Sequence, residues 1–125
     1  MHKSKLAGFI IDCNTEDLQG AAEFWSSALG MKTKQFSGEE GEKYVRLMDS
    51  SGDLHIEVQS VNHQSRIHLD IETDNIEAEV ARLKALGAKE ISRVSSWCVM
   101  EAPTGQRFCI VNKCTKSFED DASEW

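Results

Sequence analysis

The chain is short of several things, and each shortage narrows what it can be. One proline and eight glycines in 125 residues are too few for a long disordered segment. No apolar run approaches the roughly 20 residues that a membrane-spanning helix needs. The apolar stretch in MHKSKLAGFIIDCN stops at Asp12 and lacks the form of a cleavable signal. Basic residues are outnumbered: 14 Lys and Arg against 21 Asp and Glu give a formal charge of −7 and a pI near 5.0. A chain of that sign is repelled by phosphate backbones and anionic lipid surfaces, so neither nucleic acid nor membrane is expected as a partner. The cysteines, Cys13, Cys98, Cys109 and Cys114, contain no CxxC pair, and nothing marks them as staples of a secreted scaffold. A cytoplasmic protein with reduced thiols is expected. What remains is ordinary for a globular domain, 40% hydrophobic and 28% charged, at a length suited to one core.

What is present is written twice. SALGMK at 27–32 and KALGAK at 84–89 each close a helical pattern with a glycine in the C-cap region, where φ > 0 costs little. Gly87 follows Gly30 by 57 residues (87 − 30), and Asp74 follows Asp17 by the same interval. Each acid opens its helical pattern, as N-caps and first-turn acids do. The first helix offers Leu18, Ala21, Ala22, Trp25, Ala28 and Leu29 at helical spacing; the second offers Ile76, Val80, Leu83 and Leu86. Phe24 and Trp25 read as core or interface packing.

Strand-like runs flank both helices: Leu6–Cys13, Lys32–Phe36, Lys43–Asp49 and Leu54–Val61 in the first half. In the second they are Arg66–Thr73, Ala88–Val94, Trp97–Ala102 and Arg107–Asn112. Turns are expected at SGEEGE (37–42), DSSGD (49–53) and APTGQ (102–106). Each half reads β-α-β-β-β, which gives one α+β domain over 1–112 with modules at about 5–61 and 65–112, then an acidic tail at 113–125. A single ferredoxin-like copy leaves the two matched halves unexplained.

Alternation separates the faces of each strand. Val45 and Leu47 oppose Tyr44, Arg46 and Met48; Ile56 and Val58 oppose His55, Glu57 and Gln59. Ile67, Leu69 and Ile71 oppose Arg66, His68, Asp70 and Glu72, and Phe108 and Ile110 oppose Arg107, Cys109 and Val111. The apolar sides are expected on the helices. The other side, with Met48, Val111, Cys109 and Met100 among Arg46, Glu57, Gln59 and His68, has the make-up of a ligand pocket: mostly soft, with a few placed polar groups.

The helix AEFWSSALGM, the unit HLDIETDNIEAEVARLKALGAK and the segment MEAPTGQRFCIV resemble the vicinal oxygen chelate superfamily, specifically its glyoxalase-like domains, from Leu6 to Asn112. The resemblance implies two tandem βαβββ modules forming a U-shaped mixed sheet around a cavity, often paired as a homodimer. In metal-using relatives a divalent cation polarises two adjacent substrate oxygens. His68 stands at the second-module histidine of that family and Glu57 at the fourth-strand carboxylate. The first-strand ligand falls 57 residues before His68, at Ile11, and neither it nor Ile10 can bind a metal. Four residues after Gly105, where a carboxylate belongs, stands Cys109. Two of the four positions survive.

The expectation is therefore a small-molecule site with an incomplete inherited metal set, acting by binding or by metal-free acid–base chemistry. Glu57 and His68 are the expected catalytic groups. Arg46, Met48, Gln59, Asp70, Trp97, Met100 and Cys109 are the expected ligand-binding residues. The cofactor is none, or one divalent ion held by Glu57 and His68 with Cys109 or His55. One alternative is a divalent-metal-dependent lyase, isomerase or dioxygenase-type enzyme. Another is a dimeric sequestering protein like those of bleomycin resistance. For that, the acidic charge suits a cationic or aromatic cargo, with Trp97, Trp25 and Tyr44 as stacking surfaces. The plainer reading of His68 is a cavity histidine bonded to Glu57, Gln59 or Asp70. The tail KCTKSFEDDASEW reads as solvated chain, with Phe118 and Trp125 as its means of docking on a partner subunit or cavity mouth.

Overall fold

A computed structural model describes residues 1–49 and 53–125; Ser50, Ser51 and Gly52, the middle of the expected DSSGD turn, lie outside the described residues. The chain forms two compact units, Phe9–Ile67 and a second made of Met1–Gly8 with His68–Trp125. Strand β1 (Lys3–Asn14) runs through both.

The first-half unit contains α1 (Leu18–Leu29), β2 (Lys32–Gln35), α2 (Gly38–Lys43), β3 (Tyr44–Met48) and β4 (His55–Val61). Its strands lie in the order β2-β3-β4-β1, with β2–β3 and β3–β4 antiparallel. Helix α1 begins where the Asp17 carboxylate accepts the Gly20 N–H at 3.0 Å and ends at Gly30, whose φ of +67° suits glycine. Between these caps, Leu18 and Ala22 pack on Ile11, Val45, Leu47, Ile56 and Val58, with Ala21 and Trp25 at the margin. Burying each of the larger aliphatic side chains stabilises by about 1.5–3 kcal/mol. Phe24 is exposed and meets Trp25 edge to face, with ring centroids 5.1 Å apart. The expected turn SGEEGE is instead the short helix α2. Glu39 and Glu40 in its first turn and Lys43 in its last complement the helix dipole, and that offsets the weak propensity of its two glycines.

The second-half unit contains β5 (Arg66–Thr73, from His68 on), α3 (Ile76–Ala85), β6 (Lys89–Val94), β7 (Trp97–Glu101), β8 (Arg107–Asn112), α4 (Phe118–Asp121) and β9 (Ser123–Glu124). The order is β1-β5-β8-β7-β6. β5 and β8 are parallel; β8–β7 and β7–β6 are antiparallel. Val80 and Leu83 of α3 pack on Cys98, Met100 and Ile110, ringed by Ile71, Ile76, Ala88 and Phe108. Both units thus lay one helix on one face of a small sheet, as the duplicated β-α-β-β-β pattern implies.

Four expectations need correction here. Asp74 does not cap α3: the N-cap is Asn75, whose side chain accepts the Ala78 N–H at 3.1 Å, while the Asp74 carboxylate accepts the Lys3 N–H at 2.9 Å. The two N-caps are therefore 58 residues apart (75 − 17), one more than the glycines. Met100, expected to line the ligand face, is fully buried in the core under α3. Its cross-strand neighbour Phe108 sets that side. Ile67 and Leu69, expected beneath a helix, are 59% and 51% exposed. A ten-residue helix, about 15 Å long, is shorter than an eight-residue strand, about 26 Å, and of the three apolar residues on that side of β5, Ile71 is the one that packs on the α3 cluster.

The fourth correction is the tail. Phe118 is 2% exposed, and β9 pairs with β1, Lys3 opposite Glu124. Glu72, fully buried, accepts hydrogen bonds from the N–H groups of Cys114 and Thr115 and from the Thr115 hydroxyl at 2.6–3.0 Å. The Trp125 indole N–H donates to Ser4 Oγ at 2.9 Å, and the Arg82 guanidinium lies 3.9 Å above its ring. Arg82 also pairs with the buried Glu79 at 2.8 Å, which bonds His2 at 2.8 Å. The tail is part of its own unit's structure. Among the described residues no helix is long and apolar enough to cross a membrane.

Candidate functional site

In each unit the sheet face turned away from the helix carries the polar residues, because alternation leaves them nowhere else to go. In the first-half unit Arg46 stands opposite Glu57 and Tyr44 opposite Gln59. The Gln59 amide donates to the Tyr44 hydroxyl at 3.0 Å. His55 Nε2 lies 3.9 Å from Glu57 Oε1. Met48 is half-buried at the end of the same strand. These expected residues therefore form one polar group. A groove of about 640 Å³ in the same unit is lined by Lys43, Gln59, Ser60 and His63 among others; of the expected residues it takes in Gln59.

The second-half unit brings together a tighter group. Parallel pairing sets Asp70 directly beside Cys109, and antiparallel pairing sets Val99 on the other side of Cys109. His68 precedes Asp70 by two residues and so shares its face; its Nε2 lies 3.5 Å from Asp70 Oδ1. Donor atoms of His68, Asp70 and Cys109 all lie within 4.8 Å of one another. Asp70 and Cys109 are buried and His68 is half-buried. Trp97, half-buried, shares this face of β7 with Val99, and Val111 shares the face of β8 with Cys109. Glu101 and Arg107 close one end, paired at 3.0 Å.

Of the partners open to His68 in the sequence, Asp70 is the one its own unit supplies. Sequence reasoning placed Asp70 among ligand-lining residues and outside the metal donors; the His-x-Asp spacing on a strand is the signal that joins it to His68. The thiols also separate. Cys98 faces the core and burial pushes its thiol up, which makes it a small inert hydrophobe. Cys13 is likewise pushed up by burial, against a hydrogen bond from Trp25. No disulfide joins cysteines among the described residues.

The metal set implied by the resemblance fails on the first strand. With N-caps 58 residues apart, the counterpart of His68 is Ile10 (68 − 58), and Ile11 packs under α1. Both are hydrocarbon. The counterpart of Asp70 is Asp12 (70 − 58), 2% exposed, and it faces the Arg66 guanidinium at 3.8 Å. A family model for a glyoxalase-like domain matches residues 8–111. Among solved structures, a hypothetical protein from Bacillus halodurans C-125 superposes with a TM-score of 0.65 at 15% identity, over 90% of this chain and 96% of that one. A glyoxalase/bleomycin resistance protein/dioxygenase superfamily member from Vibrio splendidus 12B01 gives 0.56 at 13% identity, over 88% and 99%. A methylmalonyl-CoA epimerase from Streptomyces coelicolor, in complex with 2-nitronate-propionyl-CoA, gives 0.54 at 13%, over 87% and 98%. At such identities the likeness is one of fold. Nothing matches among curated proteins.

Proposed function

The chain belongs to the glyoxalase-like domain family of the vicinal oxygen chelate superfamily, and from that premise we propose that it binds a small organic molecule on the His68–Asp70–Cys109 face of its second-half unit. One observation carries the reading: a largely buried group of three polar side chains set among Trp97, Val99 and Val111. Soft walls with a few fixed polar groups are what small-molecule sites are made of. Trp97 supplies a surface for stacking, and a chain of net charge −7 favours a cationic or aromatic cargo. Binding, rather than a named reaction, is what these groups support. On this face His68 is the side chain with the chemistry to move a proton on such a cargo.

Benzylamine and benzoate make a matched pair of probes, cationic and anionic. Followed by NMR, benzylamine is expected to shift the Trp97 indole and His68 ring signals more strongly than benzoate does. His68→Ala should weaken that binding about tenfold, some 1.4 kcal/mol, with little change in thermal midpoint. Shifts confined to Trp25 or Trp125, or unfolding on His68→Ala, would make His68 a structural residue instead.

A further inference from the structure

We propose that His68, Asp70 and Cys109 hold a single thiophilic divalent cation of the zinc type, with a ligand set lying wholly within the second-half unit. The donors come from adjacent parallel strands and are fixed by register, Asp70 beside Cys109 and His68 two residues before Asp70 on the same face. Around a tetrahedral zinc, with bonds of roughly 2.0–2.3 Å, neighbouring donors lie about 3.3–3.8 Å apart. His68 Nε2 and Asp70 Oδ1, at 3.5 Å, already have that spacing. The thiol lies within 4.8 Å of both, and a rotation of the Cys109 side chain draws its sulfur in. Three protein ligands leave a fourth position open, and the partial exposure of His68 gives access to it.

The chemistry of the donors chooses the metal. A thiolate with an imidazole selects zinc or cobalt over magnesium and calcium, which prefer oxygen alone. Asp70 and a Cys109 thiolate together neutralise a divalent ion, which makes the burial of both charges affordable. Binding releases the thiol proton to solvent, so affinity rises with pH. The four-position set of the family is not rebuilt, since Ile10 and Ile11 donate nothing; the donors here are drawn from β5 and β8 only. The link to the small-molecule reading is a single one: a cargo stacked on Trp97 would lie on the same face as the open position.

Cobalt(II) titration of chelator-treated, full-length protein tests this without any assay of activity. One equivalent is expected to give the visible bands of tetrahedral cobalt together with an ultraviolet thiolate-to-cobalt charge-transfer band. Cys109→Ser should abolish the charge-transfer band, and His68→Ala or Asp70→Asn should weaken binding by more than about 100-fold, since loss of a mere supporting group already costs 10–100-fold. Glu57 lies outside this donor set, so Glu57→Gln should leave the cobalt spectrum and affinity unchanged. Zinc should raise the thermal midpoint of the wild type and not of Cys109→Ser, which keeps the test valid if that variant is less stable. A spectrum unchanged by Cys109→Ser, or cobalt binding lost in Glu57→Gln, overturns the ligand set. Benzylamine binding without any cobalt binding overturns the metal alone and leaves the small-molecule reading intact. The reverse pattern upholds the metal and overturns that reading.

Discussion

The two units are built to one plan and surround the same residue differently. Both lay a capped helix on one face of a small sheet, and in both a buried aspartate stands at the same place on the first strand of the repeat, Asp12 and Asp70. Around Asp12 the neighbours are Ile10, a hydrocarbon, and the Arg66 guanidinium at 3.8 Å. Around Asp70 they are the His68 imidazole and the Cys109 thiol. A guanidinium is charged at any working pH and cannot give up its proton. An imidazole and a thiol can each lose theirs, and both can bind a metal. The same carboxylate is therefore neutralised in one half and left among reactive neighbours in the other.

The largest expected effect tests whether the helix-side faces are equivalent. Leu47→Ala in the first-half unit and Met100→Ala in the second should each destabilise by about 2–5 kcal/mol in denaturant unfolding. If Met100→Ala leaves stability intact and alters benzylamine binding, Met100 lines the site and the equivalence is broken. A smaller effect should appear in one unit only. Glu72→Ala leaves the Cys114 and Thr115 donors without their acceptor, at about 1–3 kcal/mol, and should expose the tail to limited proteolysis. Cleavage no faster than in the wild type would show that the tail holds by Phe118 and Trp125 alone.

The mildest effect is one of pH. Burial opposes the charged form of Glu79, but hydrogen bonds from Arg82, His2 and Ser4 outweigh it and hold its carboxyl below the usual range. A carboxylate lowered in the folded state contributes stability above its ordinary pKa, about 4.3, and loses it as pH falls through the folded value. The thermal midpoint should therefore fall more steeply below about pH 4 in the wild type than in Glu79→Gln. Parallel curves would remove Glu79 from the account.

Much of the fold was legible because alternation and caps are local signals. β5 and β8 fall where their hydropathy puts them, and Gly30 ends α1 as its φ demands. What local pattern could not supply was side and cover. In WCVME every residue but the last is apolar enough for either face, so only the pairing of Met100 with Phe108 assigns it to the core. SGEEGE carries two glycines, which speak for a turn, and its charge order for a helix speaks more quietly. The acidity of the tail hides two anchors, the buried Phe118 and Trp125, whose partners Ser4 and Arg82 lie far away in sequence. At the site, His68 and Cys109 could be named singly. The His-x-Asp spacing joins Asp70 to His68, but that Cys109 belongs with them follows from the register of a parallel pair, which no single segment encodes.

That register has its counterpart in time. The opening residues of β1 belong to the second-half unit, and Lys3 pairs with Glu124, 121 positions later (124 − 3). Contacts so distant in sequence are slow to form, because loop closure must precede the reward for pairing. The pairing of β1 with β9 therefore closes a loop of nearly the whole chain for a two-residue strand. Unpaired, the beginning of β1 would be an open strand edge, the kind on which chains associate wrongly. Lys3 and Lys5, one on each side of Ser4, put on that edge the charge that discourages such association.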